Sequence, residues 1–516
     1  MAYGQLGHSS SLLRAVPIIA FVLLPTCAAH DHDADGIPEG AAVSPEPIAA
    51  GQDSILWTHI LLQGLAFGLI FPAGMVLGII RSRWHVPVQT LGTIISIVAW
   101  FLGHRHKGRK FAPNIHASFA SSLMLMLAVQ VAIGVYLKLH LTKGVHSKIR
   151  RYVVNVHGII GKLMPVVSWV QMLFGGITAL GFCRDDHLGQ CVAHFIMGSA
   201  FIGYGVIMTT MLLVGQVWLR RSGKSQEFFD STLIAAWGTV NTFTEHRWGT
   251  AWVKNDIQHT SMGIVWWCAG LVGIWLSRSR GGRPKRNLIP GIVLLLTGWG
   301  MSAHPQSLKL STMVHTAFGY TLMAAGATRM IEIAFVLRDS RGLVGEPNSF
   351  QHLPPFLLCA SGFLFMGATE EQMKLLSDAH VTHVSYILIL YSFAFLLYLF
   401  VNVLLHIYAV YAWPDSDSNG RRESRMLSRS RSRSASAAGG LGRSGTSKRQ
   451  FSTPDLTDGM NGGLSNGKIR MPRHRQTDSQ QIRDAETFEL EGLISDVEDD
   501  EDTMSPKGID TDVERA

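Results

Sequence analysis

Residues 54–81 read SILWTHILLQGLAFGLIFPAGMVLGIIR. The run is apolar but for Ser54, Thr58, His59 and Gln63, and it stops at a cation, Arg81. At 1.5 Å per helical residue it crosses a hydrocarbon layer of about 30 Å. A histidine inside such a segment is costly in lipid unless it has a partner or a task. Three more apolar segments follow, and each carries a histidine near its start: His85, His116 and His157. If the chain enters the membrane from outside at residue 54, His59 and His116 share the outer level and His85 and His157 the inner level. Two facing imidazoles at each of two depths is the arrangement that two stacked bis-histidine haems require.

The apolar runs continue to residue 412, at about 54–80, 86–102, 113–139, 155–182, 191–219, 229–246, 259–276, 288–303, 312–337, 353–369 and 380–412. The expected fold is therefore all-α: a polytopic membrane protein of about 11 transmembrane helices. The number drops to 10 if 229–246, which holds Asp230, Asn241 and Glu245, is re-entrant. Charge favours eleven. With the start outside, eleven crossings leave the basic loops Arg81–Arg83, Lys143–Arg151, Arg220–Lys224, Arg278–Arg286 and Arg338–Arg341 inside, as the positive-inside bias demands. The loop His104–Lys110 dissents. Only 16% of residues are charged, and the net charge of +8 sits in loops and tail, so it argues for orientation and against nucleic acid.

Residues 1–29 have the form of a secretory signal: Arg14, an apolar stretch to Leu24, then small residues Thr26–Ala29. A short outer stretch, 30–53, carries His30, Asp31, His32 and Asp33. Beyond about 415 the chain is Ser/Arg-rich, then Gly/Ser-rich, then acidic, a composition that buries no core and predicts a disordered cytoplasmic tail over 415–516. Its serines are candidate phosphorylation sites that would bind kinases or other cytoplasmic proteins. Cys183 and Cys191 flank a polar loop and could form a disulfide if that loop faces an oxidising lumen; Cys268 and Cys359 lie in apolar segments as inert core residues.

The first four segments carry further marks: Pro72-Ala-Gly74 and Arg81 after His59, His85-Val-Pro-Val-Gln89, Gln130 fourteen residues after His116, and Arg150-Arg151 with Asn155-Val-His157 and Gly161. In this order they resemble the cytochrome b561 family, over residues 54–182. The resemblance implies two haems b, one held by His59 and His116 and one by His85 and His157, in an electron-transferring four-helix domain. It also implies an anionic reductant such as ascorbate on the inner face, where Arg81, Arg83, Lys148, Arg150, Arg151 and Lys162 lie. Gly68, Gly74, Gly134, Gly158 and Gly161 would let a flat macrocycle approach. Two departures stand out: Asn155-Val-His157 is one residue short of the family pattern, and Pro87 follows His85 closely. The plain alternative for each histidine is an interfacial residue bonded to headgroups or loops.

The second half, 191–412, gathers imidazoles and carboxylates at the outer face: His194, His246, His259, His304, His315, His380 and His383 with Glu245, Asp256, Glu370 and Glu371. These ligand types suit iron, copper or zinc, and His194, His259, His304 and His315 are the candidate metal ligands. Arg329 and Glu332, three apart, suit an ion pair on one helix face. The runs Trp237–His246 and Arg329–Ile333 resemble the YTP-one-like family of fungal membrane proteins, which implies a multi-pass membrane protein and no particular activity.

The leading expectation is a di-haem b protein of the secretory pathway or plasma membrane that moves electrons from an inner reductant to an outer acceptor such as a metal ion, in the manner of a ferric reductase. Two rivals stand beside it. One is a metal or proton transporter entered through the outer histidines. The other is a non-enzymatic scaffold that recruits partners through its tail. No glycine-rich dinucleotide fingerprint is present, which argues against hydride chemistry.

Overall fold

The computed structural model describes residues 53–412 apart from 108–110, 112, 142, 185–187, 247–248, 304–305 and 338–346. The expected signal, nearly all of the short N-terminal stretch, His304 and the tail lie outside the described residues.

Each of the eleven apolar segments is a helix. They are α1 (Ser54–Ile79), α2 (His85–Arg105), α3 (Ile115–Lys138), α4 (Val145–Leu180), α5 (Leu188–Leu213), α6 (Gln226–Thr244), α7 (Lys254–Leu276), α8 (Ile289–Ser302), α9 (Lys309–Leu337), α10 (Leu353–Met366) and, after the amphipathic α11 (Glu370–Asp378), α12 (His383–Ala412). Among the described residues the only strand-type pairing is an isolated bridge between Arg278 and Pro284. The chain is thus an all-α, multi-pass membrane protein. Eight helices are long and apolar enough to cross a membrane, nine if α10 and α11, bent by 73°, make one span. Two of the expected eleven fall outside that test for physical reasons. Helix α6 buries Glu227 and Asp230, and α8 has only 14 residues.

Boundaries follow local chemistry. Asp53 caps α1 by accepting from Leu56 N at 2.9 Å, and Asn114 caps α3 by accepting from Ala117 N at 2.9 Å. Helix α4 starts at Val145, ten residues before the apolar run, because Lys148, Arg150 and Arg151 are as compatible with a helix as the residues after them. It ends on Gly181, whose φ of 76° is the left-handed cap that glycine accepts without strain.

Two bundles result. In the first, α1–α4, only a middle layer is closely packed: Ala66, Phe67 and Phe71 of α1 against Leu123 and Leu127 of α3 and Met164 of α4. Ala66–Ile70, inside this layer, forms a π-turn. The second bundle, α5–α12, is denser, around Met208, Phe318, Leu322, Leu358 and Phe365. There glycines bring backbones into contact: a Cβ at Gly198 would stand 2.7 Å from Gly362 O, and one at Gly298 would stand 2.5 Å from Gly319 O.

Candidate functional site

Helices α1 and α2 form one antiparallel hairpin, α3 and α4 another. His59 lies in the second turn of α1 and His116 at the start of α3, at the same end of the bundle. His85 opens α2, and His157 lies inside α4, toward the other end. The rings of His59 and His116 have centroids 6.4 Å apart and planes at 88°. Those of His85 and His157 are 6.3 Å apart at 89°. The four residues therefore meet in the expected pairs, one from each hairpin. Pro87 and the short Asn155-Val-His157 spacing do not prevent the second pair.

Each imidazole is seated against a glycine of its own hairpin partner. A Cβ at Gly103 of α2 would stand 2.6 Å from His59 Nδ1, and one at Gly78 of α1 would stand 2.8 Å from His85 Nδ1. A Cβ at Gly175 of α4 would stand 3.0 Å from His116 Cε1, and one at Gly134 of α3 would stand 3.3 Å from His157 Cε1. The seats recur at a fixed interval. Gly103, Gly134 and Gly175 follow His85, His116 and His157 by 18 residues, and Gly78 follows His59 by 19. Eighteen residues make about five turns, so seat and histidine share one helix face, with the two levels roughly 27 Å apart.

Backbone carbonyls fix the ring orientations. Nδ1 of His59 donates to Ala99 O at 2.7 Å, that of His85 to Gly74 O at 2.7 Å, and that of His116 lies 3.2 Å from Gln171 O. A carbonyl only accepts, so Nδ1 of His59 and His85 carries the proton and Nε2 the lone pair, the usual second-shell device for presenting imidazole to a metal; His116 Nδ1 also lies 3.0 Å from the Gln171 amide nitrogen. A glutamine braces each helix pair beside these seats. Gln63 donates to Ser96 O (3.3 Å), Gln89 to Phe71 O (3.5 Å), Gln130 to His157 O (3.0 Å) and Gln171 to His116 O (2.9 Å).

This geometry corrects the role assigned to the glycines. Gly134 seats an imidazole, while Gly74 and Gly161 lie against the side chains of Gln89 and Gln130. Gly68 and Gly158 have open space where a Cβ would be, as a flat group beside the helix needs. Gln63, Gly78, Gly103, Gln171 and Gly175 were missed. The 18-residue recurrence of His and Gly was the signal that could have found Gly103 and Gly175.

An imidazole nitrogen binds a transition metal at about 2 Å, and the ring centroid lies about 1 Å behind that nitrogen, so two rings on opposite sides of one metal have centroids roughly 6 Å apart. Both pairs meet this condition. The residues present therefore fit bis-histidine haem in the spacing of both pairs, in the state of Nε2 at His59 and His85, and in the open positions at Gly68 and Gly158. Around the His85 level, Arg81, Arg83, Lys148, Arg151 and Lys162 are exposed, and Arg150 Nη1 donates to Leu137 O at 3.1 Å.

The second bundle brings together only part of the predicted metal set. His194 and His315 meet, with centroids 5.9 Å apart at 83°. His259 does not join them: its Nδ1 lies 3.3 Å from Glu245 Oε2, on the α6–α7 turn, where His246 likewise pairs with Asp256 at 2.9 Å. Those carboxylates hold the two histidines locally. Cys183 and Cys191 form a disulfide, and Glu371 accepts from Cys183 N at 2.7 Å. Arg329 and Glu332 pair at 2.7 Å, inside a larger buried network. Arg329 also holds Glu227 at 2.9 Å and lies 4.0 Å from Asp230; Arg286 holds Glu227 at 2.9 Å; Tyr204 OH donates to Asp230. Asp230 and Arg329 face a cavity of about 170 Å³ walled by Phe201, Tyr204, Trp237 and Trp266.

Two family models match the chain: "Protein YTP1-like, C-terminal" over residues 167–409 and a domain of unknown function, DUF2427, over residues 40–140. The four-helix unit is thus divided between them, and His157 lies in neither. Protein YTP1 of Saccharomyces cerevisiae is 46% identical over 254 residues, 49% of this chain and 54% of the relative, so the chain matches about half of that protein's length. An uncharacterized membrane protein of Schizosaccharomyces pombe is 22% identical, covering 63% of this chain and 88% of its own. A second uncharacterized membrane protein of Saccharomyces cerevisiae is 26% identical over 250 residues, 38% of this chain and 40% of its own. No solved structure matches the chain.

Proposed function

We propose, for a chain whose residues 167–409 belong to the YTP1-like family, that the α1–α4 bundle is a di-haem electron conduit across the membrane. The observation that carries this reading is the double imidazole pairing, at 6.4 Å and 6.3 Å, at opposite ends of one bundle. His59 and His116 would hold one haem b, His85 and His157 the other. Held by these four histidines, haem would supply one-electron redox chemistry.

The chain's own residues set the conditions. The Nδ1–carbonyl bonds of His59 and His85 keep their Nε2 atoms deprotonated and aimed, and the glycine seats stop the rings from rotating away. Phe67, Phe71, Leu123, Leu127 and Met164 fill the layer between the two levels and exclude water from it. The exposed cations Arg81, Arg83, Lys148, Arg151 and Lys162 flank the His85/His157 level and suit an anionic reductant such as ascorbate. The disulfide near the other level fits an oxidising compartment there, with a metal ion as one acceptor class.

Vesicles test the conduit. Purified chain is reconstituted, ascorbate is trapped inside, and ferricyanide is added outside. The reading expects ferricyanide reduction that needs the protein and falls to background in both His59→Ala and His85→Ala. Reduction at the rate of empty vesicles overturns it.

A further inference from the structure

We propose that His194 and His315 bind one bare copper ion, in its monovalent state, inside the second bundle. The two residues come from α5 and α9 and are 8% and 3% exposed. Each Nδ1 donates to a carbonyl one turn back on its own helix: His194 to Gln190 O at 2.8 Å, His315 to Ser311 O at 2.9 Å. This assigns the lone pair to Nε2 in both rings and turns that edge away from its own helix. A hydrogen bond from one ring nitrogen to the other would set the centroids roughly 5 Å apart, and a shared metal ion roughly 6 Å apart. The observed 5.9 Å is closer to the metal distance.

The surroundings decide the kind of ligand. Phe365 stacks on His194 at 4.5 Å and 11°, while Val314, beside His315, and Ala368 are fully buried. A macrocycle has no place in this packing, unlike the open first bundle, so an ion alone fits. Among the described residues the only group of three clustered histidine, cysteine or acidic ligand atoms is Cys183, Cys191 and Glu371, and its sulfurs are consumed in the disulfide. Two imidazole ligands bring no negative charge to the ion. A dication would bring twice the charge of a monovalent copper ion into this apolar packing. Imidazole nitrogen is among the ligand types that suit copper.

The depth is informative. Trp169 of α4 donates to Ser199 of α5 at 3.0 Å. Five residues back along α5 is His194, and five residues on along antiparallel α4 is Phe174, next to Gly175, the seat of His116. The copper site therefore lies level with the His59/His116 pair. The proposal does not depend on haem being present.

The test uses the full chain in detergent, stripped with chelator and then exposed to monovalent copper or to zinc under ascorbate, with a competing chromogenic chelator. Expected is about one copper retained per chain, lost in His194→Ala and in His315→Ala and kept in the exposed-histidine control His140→Ala. X-ray absorption at the copper edge guards against variants that misfold, since it reads the wild-type chain: two short nitrogen neighbours are expected. Copper absent from the wild type, retained unchanged in both variants, bound through sulfur, or outcompeted by zinc overturns the proposal.

Discussion

Gly103 of α2 is the floor on which the His59 ring rests: a Cβ there would lie 2.6 Å from Nδ1 and 2.7 Å from Cε1. The partner relation, Gly78 beneath His85, is built the same way at the other end of the hairpin. A branched side chain at either glycine must push the ring off its carbonyl partner.

Gly103→Val is therefore expected to abolish the haem of the His59/His116 level and spare the other, and Gly78→Val to do the converse. Haem absorbance per chain, about half of wild type in each, checks this. Full occupancy in Gly103→Val would mean the seat has no bearing on the ligand.

The near-perpendicular imidazole planes, 88° and 89°, make a spectroscopic prediction. Crossed axial rings leave the iron d-orbitals nearly degenerate, so the oxidised protein should give strongly anisotropic low-spin EPR signals. Signals of the rhombic type that parallel imidazoles produce would contradict the arrangement.

In the second bundle, Arg329 balances Glu332 and Glu227 in a buried setting. Arg329→Met removes the cation and strands the carboxylates, at a cost of about 3–5 kcal/mol. The triple change Arg329→Met, Glu332→Leu, Glu227→Leu should recover much of that loss, measured as melting temperature in detergent. Equal instability of the single and triple variants would show that the charge imbalance is not the cause.

The disulfide closes a short loop, so Cys183→Ser is expected to cost about 2–3 kcal/mol by loop entropy. The readout is the melting temperature of oxidised wild type against the variant, with reductant abolishing the difference. A difference that persists in reductant would place the effect elsewhere.

The apolar runs told where each of the eleven apolar helices lies, though not the amphipathic α11, because lipid-spanning length is a local property of composition. The histidine pairing was legible too, since each histidine sits near the start of its apolar run and level follows from the alternation of direction. What was not legible depends on two segments at once. Gly78, Gly103 and Gly175 look like ordinary small residues until the partner helix brings an imidazole onto them. Asp230 read as a mark against a spanning helix, and Arg329, about a hundred residues on, explains its burial and, with Arg286, that of Glu227. His259 was grouped with His194 and His315 by depth alone, and depth does not say which helices are neighbours.

The most direct measurement is the haem content of the purified chain, by reduced-minus-oxidised spectrum and pyridine haemochrome, in wild type and four single variants. The account predicts about two haems b per wild-type chain. It predicts about one in each of His59→Ala, His116→Ala, His85→Ala and His157→Ala, with the first two losing the same component and the last two the other. A colourless wild-type chain, or haem that survives all four substitutions, would contradict it.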